Sequence, residues 1–316
     1  MRELSPSRRQ WLAGSLAAGL AAAAAPAQTP AKNEPFVYCL NTATIRGQNL
    51  PLPEQIDVAA RAGFNAIEPW VRDLESYTQG GGNLKDISKR LKDRGLTVES
   101  AIAFAEWAVD DETRRRKGLE QARRDMNLVA QIGGKRIAAP PAGTGDRAQS
   151  SADLARLGER YRALLDTGSG LGVIPQLELW GFSKTISRIS EALHVTVESG
   201  HPQACVLADV YHLYKGGSDF GWVRLVSPAA FGVVHVNDYP AKPPRAEITD
   251  AHRVYPGDGV APLAGFFRDL MAIGHHGVLS LEVFNREYWR QDAFVVARTG
   301  LDKLRAVVRG AVAEKP

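Results

Sequence analysis

The chain is poor in sulfur. It has two cysteines, Cys39 and Cys205, and three methionines among 316 residues. At most one disulfide is therefore available. Both cysteines fall in apolar runs far apart in order, which favours two buried free thiols. The chain also lacks strong charge of either sign. Its formal charge is +4, and +2 without Arg2, Arg8, Arg9 and Glu3 of the leading segment, too little to point to nucleic acid or an anionic membrane as partner. After the first 25 residues no long apolar run occurs, so no stable membrane association is expected once the leader is gone. Internal repeats are absent, and so is low complexity outside the leader. No Gly-rich phosphate turn follows the first strand-like run, where NTATIRGQNLP stands instead. That counts against a doubly wound nucleotide-binding sheet.

The N-terminus reads MRELSPSRRQWLAGSLAAGLAAAAAPAQ. Arg8 and Arg9 precede an uncharged run from Trp11 to Ala25, and Ala25-Pro26-Ala27 is a small-x-small exit. This is the layout of a secretory signal, and SRRQWL matches the twin-arginine form. The run is too short and too rich in alanine for a transmembrane anchor. Residues 1–27 are expected to be a removed signal peptide, residues 28–316 a single domain, and the location periplasmic or secreted. Twin-arginine export carries folded proteins, which would suit a cofactor loaded in the cytoplasm.

Short apolar runs alternate with longer amphipathic ones. The strand-like runs are 36–41, 64–70, 96–104, 135–141, 173–180, 204–210, 231–238 and 277–284. Helical spacing covers 53–63, 84–95, 110–133, 152–168, most of 183–200, a short helix or turn at 220–228, and then 261–274 and 292–312. Strands with little polar alternation, each followed by a helix, predict an α/β parallel sheet covered by helices. Eight such units in one domain predict a closed (β/α)8 TIM barrel, with a doubly wound sheet as the alternative. The segment 238–260 is the longest loop, and loops of that length in compact domains are functional or disordered.

In a (β/α)8 barrel the working residues sit at the C-terminal ends of the strands. Glu178, Asp209, His235 and Glu282 stand near those ends on strands five to eight, so closure brings them to one rim. Any one of them alone could simply pair with Lys or Arg. Three carboxylates together repel and raise one another's pKa unless a cation intervenes. A single divalent metal resolves this. Oxygen-rich ligation with one imidazole suits Mn²⁺, Co²⁺ or Mg²⁺, with Zn²⁺ possible.

The order LELWGF, ADVYHLYKGG, VVHVNDYP, HRVYPGDG and LSLEVFN resembles the sugar isomerase/epimerase superfamily with the xylose-isomerase-like barrel, nearest its tagatose/psicose 3-epimerase and hydroxypyruvate isomerase branches. The resemblance runs over about Phe36–Val312 and is strong from residue 173 onward. It implies that Glu178, Asp209, His235 and Glu282 bind the metal, and that Glu178 and Glu282 also carry protons. It further implies that His212, in Asp-x-x-His, contacts substrate, as does Arg253 ahead of Pro256-Gly257-Asp258-Gly259. Chemistry agrees: isomerising a ketose through an enediolate needs a base on one face and an acid on the other, with the metal polarising the carbonyl. The residues after Glu178 depart from the epimerase pattern, which leaves the substrate open, and no dedicated phosphate loop is visible.

Lesser candidates for substrate contact are Glu68 and Asn41, with Trp70, Trp180 and Phe182 as an apolar wall against a sugar face. Lys215 reads as a surface lysine, and His275 and His276 as structural residues on the opposite face. The expected partner is a small sugar-like molecule, and a homo-oligomer is possible. A metal-dependent lyase or dehydratase acting on a keto-sugar, keto-glycoside or keto-inositol is the alternative function, because it uses the same enolate. A repair endonuclease of the same barrel would need more ligands and a basic face than seven histidines and this charge provide. A non-catalytic sugar binder would not need two proton-transfer groups.

Overall fold

The eight apolar runs pair in parallel, as uninterrupted Val, Ile, Leu and Ala sequences do when both faces of their sheet are buried. The computed structural model describes residues 34–144 and 154–313. The expected signal peptide, residues 1–27, lies outside them. The strands are β1 (Val37–Asn41), β2 (Ala66–Glu68), β3 (Thr97–Val98), β4 (Arg136–Ala139), β5 (Ile174–Glu178), β6 (Val206–Asp209), β7 (Phe231–Val236) and β8 (Val278–Leu281). Their order is β3-β2-β1-β8-β7-β6-β5-β4, every neighbouring pair parallel. Only β3 and β4 lack a regular ladder. There the amide of Ala138 donates to the carbonyl of Ala101 at 2.8 Å and closes the ring. This is the expected TIM barrel.

The helices are α1 (Leu52–Ala62), α2 (Val71–Gln79), α3 (Leu84–Asp93), α4 (Glu112–Gln131), α5 (Leu154–Ser169), α6 (Ile189–Glu198), α7 (Val210–Gly216), α8 (Leu263–Ala272) and α9 (Ala293–Ala313). Two of them depart from the periodicity reading. In α2 only Val71 and Leu74 are buried, too few for an apolar stripe to be visible. The short α7 is nucleated by Asp209, whose carboxylate accepts the His212 amide at 2.8 Å. The third strand is also shorter than its apolar run. Past Val98 the chain stays extended but leaves the ladder, touching β2's continuation through an isolated Trp70–Ile102 bridge. Both cysteines are free and buried. Among the described residues no helix is long and apolar enough to cross a membrane.

The 238–260 loop is ordered by polar anchors. Asp238 accepts the amides of Gly257, Gly259 and Ala261 at 2.9–3.1 Å. A Cβ on Gly259 would lie 2.2 Å from the Tyr239 carbonyl, so only glycine fits there. Lys215, expected as a surface lysine, donates instead to the carbonyls of Arg245, Ala246 and Ile248. The loop thus folds back over the barrel mouth and delivers Arg253 into it.

Asp125 lies on the inward face of α4, buried beside Met126. Burial pushes its pKa up to about 6, with Glu75 adding to the rise and Gln121 opposing it. The folded value exceeds the unfolded one, so the fold prefers the neutral acid. The handicap is absent below about pH 4, grows through pH 4–6 and is complete above that. Asp125→Asn keeps an acceptor for Gln121 and should stabilise the protein by up to about 2–3 kcal/mol at pH 8 and by nothing near pH 3.5. Urea midpoints at the two pH values test this, and an equal gain at both would refute it.

Candidate active site

Parallel register assembles the site. Asp209 pairs with His235, His235 with Ser280, and Asn41 with Glu68. Glu178 ends β5, Asp209 ends β6, His235 is next to last in β7, and Glu282 follows β8. All are buried. Three carboxylate oxygens converge on His235 Nδ1: Glu282 Oε2 at 3.3 Å, Glu178 Oε1 at 3.7 Å and Asp209 Oδ2 at 3.7 Å. One ligand atom each from Asp209, His235 and Glu282 lies within 4.8 Å of the others. That Nδ1 has no hydrogen-bond partner although it is buried.

The other face of the imidazole is fixed. Its Nε2 lies 2.9 Å from Glu68 Oε2, the oxygen that also accepts Ser280 Oγ at 2.7 Å and Asn41 Nδ2 at 3.0 Å. A carboxylate there makes Nε2 the protonated nitrogen and turns Nδ1 toward the three acids. Asn41 also donates to Glu282 Oε1 at 2.9 Å, while its own oxygen accepts the Ala43 amide and Trp70 Nε1. Glu68 and Asn41, expected to contact substrate, are instead wholly buried and turned toward His235 and Glu282, because β1 and β2 point these side chains into the barrel.

Arg253 is 1% exposed. Its Nη1 donates to Asp209 Oδ2 at 3.0 Å and Glu282 Oε2 at 2.8 Å, and its Nη2 to Asp250 Oδ1 at 2.5 Å. The guanidinium stacks on Tyr211 and Phe284. His212 Nε2 lies 3.3 Å from Arg253 Nη2, and its Nδ1 faces the Gly181 amide. Burial, helped by Arg253, lowers the His212 pKa to about 3. His212 is therefore neutral at working pH, a hydrogen-bonding group rather than a cation.

The charges do not balance. Glu68, Glu178, Asp209 and Glu282 face one guanidinium and one imidazole. Burial disfavours charge on His235, but Glu68 and Glu282 outweigh it and raise its pKa. Burial likewise opposes charge on Glu282 and Glu68, yet His235 holds both below the ordinary carboxylate range. Glu178 is the group left over: burial, then the neighbouring Glu282 and Asp209, push its pKa well up despite His235. An oxygen-rich set short of positive charge, around an imidazole nitrogen without a partner, fits a hard divalent cation. Ligand atoms about 2.1 Å from such an ion lie about 3.0–4.2 Å apart.

An aromatic rim surrounds the mouth. Trp70, Phe104, Trp180, Phe182 and His212 follow one another with ring centroids 5.2–6.1 Å apart, and Phe284 and Trp289 extend the chain beyond Trp70. Trp70, Trp180 and Phe182 were expected there. Phe104, Phe284 and Trp289 were not, although Phe104 and Phe284 each end a strand-like apolar run of the sequence. Phe104 and Phe182 are 45% and 53% exposed and are joined through Trp180, so they form one apolar patch, the kind of surface that marks a binding site.

A family model for the xylose isomerase-like TIM barrel matches residues 56–307. The chain is 25% identical to a 3-dehydroshikimate dehydratase of Pseudomonas putida over 74% of its own length and 36% of that protein. It thus spans little more than a third of the dehydratases it matches. It is 24% identical to an inosose isomerase of Bacillus velezensis over 85% of its own length and 96% of that protein. A solved structure of the IOLI protein with a zinc atom superposes with a TM-score of 0.80 at 20% identity, covering 87% of this chain and 99% of that one.

Proposed function

The chain belongs to the xylose isomerase-like TIM barrel family, and on that premise we propose that it is a divalent-metal-dependent isomerase or epimerase of a ketose or related keto-sugar. The observation that carries this reading is the convergence of Glu178 and Glu282 on His235 Nδ1, with Asp209 beside them. Glu178, Asp209, His235 and Glu282 would hold the metal. When bound, the metal supplies Lewis-acid polarisation at a carbonyl oxygen and offsets the negative charge that develops there. The zinc in the related fold of the IOLI protein supports such a site.

The chain's own residues do the rest. One glutamate takes the proton from the carbon beside the carbonyl, and the other returns a proton from the opposite side. Arg253 and neutral His212 anchor substrate oxygens. Glu68 and Asn41 hold His235 and Glu282 in place. Trp180 with Phe182 and Phe104 packs an apolar sugar face and excludes water.

In D2O, protein loaded with Mn²⁺ or Co²⁺ should incorporate deuterium beside the carbonyl of one member of a panel of ketoses, keto-glycosides and keto-inositols. Failure to bind metal together with no exchange would sink the reading. Loss of water in place of exchange, seen as a new ultraviolet chromophore, would select the lyase, a second reading favoured by the similarity to the dehydratases. We place the enzyme outside the cytoplasm, exported by the twin-arginine route. N-terminal sequencing of the mature protein should begin near Gln28, and an intact Met1 in the exported fraction would exclude cleavage.

Glu68→Gln removes the charge that makes His235 a strong ligand. Metal affinity should fall about 10–100-fold, read by competition with a chelator. Unchanged affinity would show that Glu68 does not act through His235.

A further inference from the structure

Beside the mouth, above β1, β2 and the turn after β8, lies a cavity of about 510 Å³, within the range of small-molecule sites, about 300–1,000 Å³. Thr42, Arg46, Trp70, Arg72, Asp73 and Trp289 are among the residues that line it. It adjoins the catalytic cluster through one short path: Trp70 Nε1 donates to Asn41, which donates to Glu282.

Two cations face this space. The Arg46 guanidinium stacks 4.9 Å from the Trp70 ring centre and 6.0 Å from that of Trp289, and Arg72 stacks 4.6 Å from Trp70. Arg72 has a partial counter-ion, with its Nε 3.4 Å from Asp73. Among the described residues Arg46 makes no ion pair. Burial, followed by the charge of Arg72 and opposed by Asp73, lowers its pKa. Thr42 is 3% exposed, yet its Oγ1 has no hydrogen-bond partner. Two guanidinium groups on one indole, with an unused hydroxyl in the same lining on the residue after Asn41, form a ready anion cradle, since planar guanidinium suits carboxylate and phosphate.

We propose that the substrate carries an anionic group, carboxylate or phosphate, remote from its reacting carbons, and that Arg46 and Arg72 bind it in this cavity with Thr42. The inference rests on the proposed function, because the cavity wall includes Trp70, which is joined to Glu282 through Asn41. Trp70 and Trp289 give it a readout independent of turnover. The mature protein is titrated with D-glucuronate, D-glucose 6-phosphate and D-glucose while tryptophan fluorescence is followed, with inorganic phosphate as competitor.

At least one of the two acids should bind tenfold or more tightly than glucose, and Arg46→Gln and Arg72→Gln should each remove about tenfold of that preference. The acid whose binding depends on both arginines identifies the group as carboxylate or phosphate. Glucose binding as well as both acids, or an acid preference that survives in the double variant, would overturn the proposal. Both arginines are exposed at the surface, so the variants should fold, and thermal melts check this. Acid binding with no deuterium exchange on any ketone would remove the proposed function and leave the subsite. Exchange with no acid preference would do the reverse.

Discussion

Glu282→Gln should lower the rate of deuterium exchange into substrate by two to four orders of magnitude, the contribution of a positioned acid–base group. The residue stands in two roles. Its Oε2 is 3.3 Å from His235 Nδ1 and accepts Arg253 Nη1, while its Oε1 accepts Asn41. Gln preserves size and one acceptor but cannot carry the proton. Asp209→Asn separates the two roles. Asp209 is proposed to hold metal and to move no proton, so saturating Mn²⁺ should restore most of that variant's rate. The same Mn²⁺ should leave Glu282→Gln slow. Full rescue of both variants would mean that Glu282 is a ligand only, and the proton would need another carrier. Glu178→Gln should follow Glu282→Gln, since Gln can neither take nor return the proton on the second face.

The second large effect falls on stability. Arg253→Met should destabilise the metal-free protein by about 3–5 kcal/mol, the cost of leaving buried charge without its partner. Arg253 answers Asp209, Glu282 and Asp250 at once and is sealed between Tyr211 and Phe284. Met fills part of the space but pairs with nothing. A divalent cation can replace some of the lost positive charge, so the loss should shrink on adding Mn²⁺. Urea unfolding with chelator and with Mn²⁺ measures both values. A loss below about 1 kcal/mol in chelator, or the same loss in both media, would show that Arg253 does not neutralise the cluster.

Much of the site could be read along the chain. Glu178, Asp209, His235 and Glu282 were legible because each stands at the end of an apolar run, and a barrel makes strand ends neighbours. Arg253 was legible through the resemblance as a substrate contact, but by its own pattern only as a charge in a long loop. Its burial depends on Asp238 and Lys215 folding 238–260 back over the mouth, and no local pattern announces those carbonyl and amide contacts. Glu68 and Asn41 were located correctly but assigned toward substrate, because strand position does not reveal which side-chain atoms are already engaged. The cavity of Arg46 and Arg72 had no signal at all, since two exposed arginines, one in the short 3-10 helix after β1 and one in the first turn of α2, look like solvated charge.

By itself the sequence determined the alternation of strand and helix, the parallel sheet and the four acid–imidazole positions. Those follow from apolar periodicity and from strand ends, which are local properties. The tertiary structure decided which atoms face each other: Nδ1 of His235 toward the acids and Nε2 toward Glu68, Arg253 inside rather than outside, and two arginines on one tryptophan. Such pairings join residues up to 241 positions apart, as Asn41 and Glu282 are, and they arise only when ring closure fixes register and the loops settle over it.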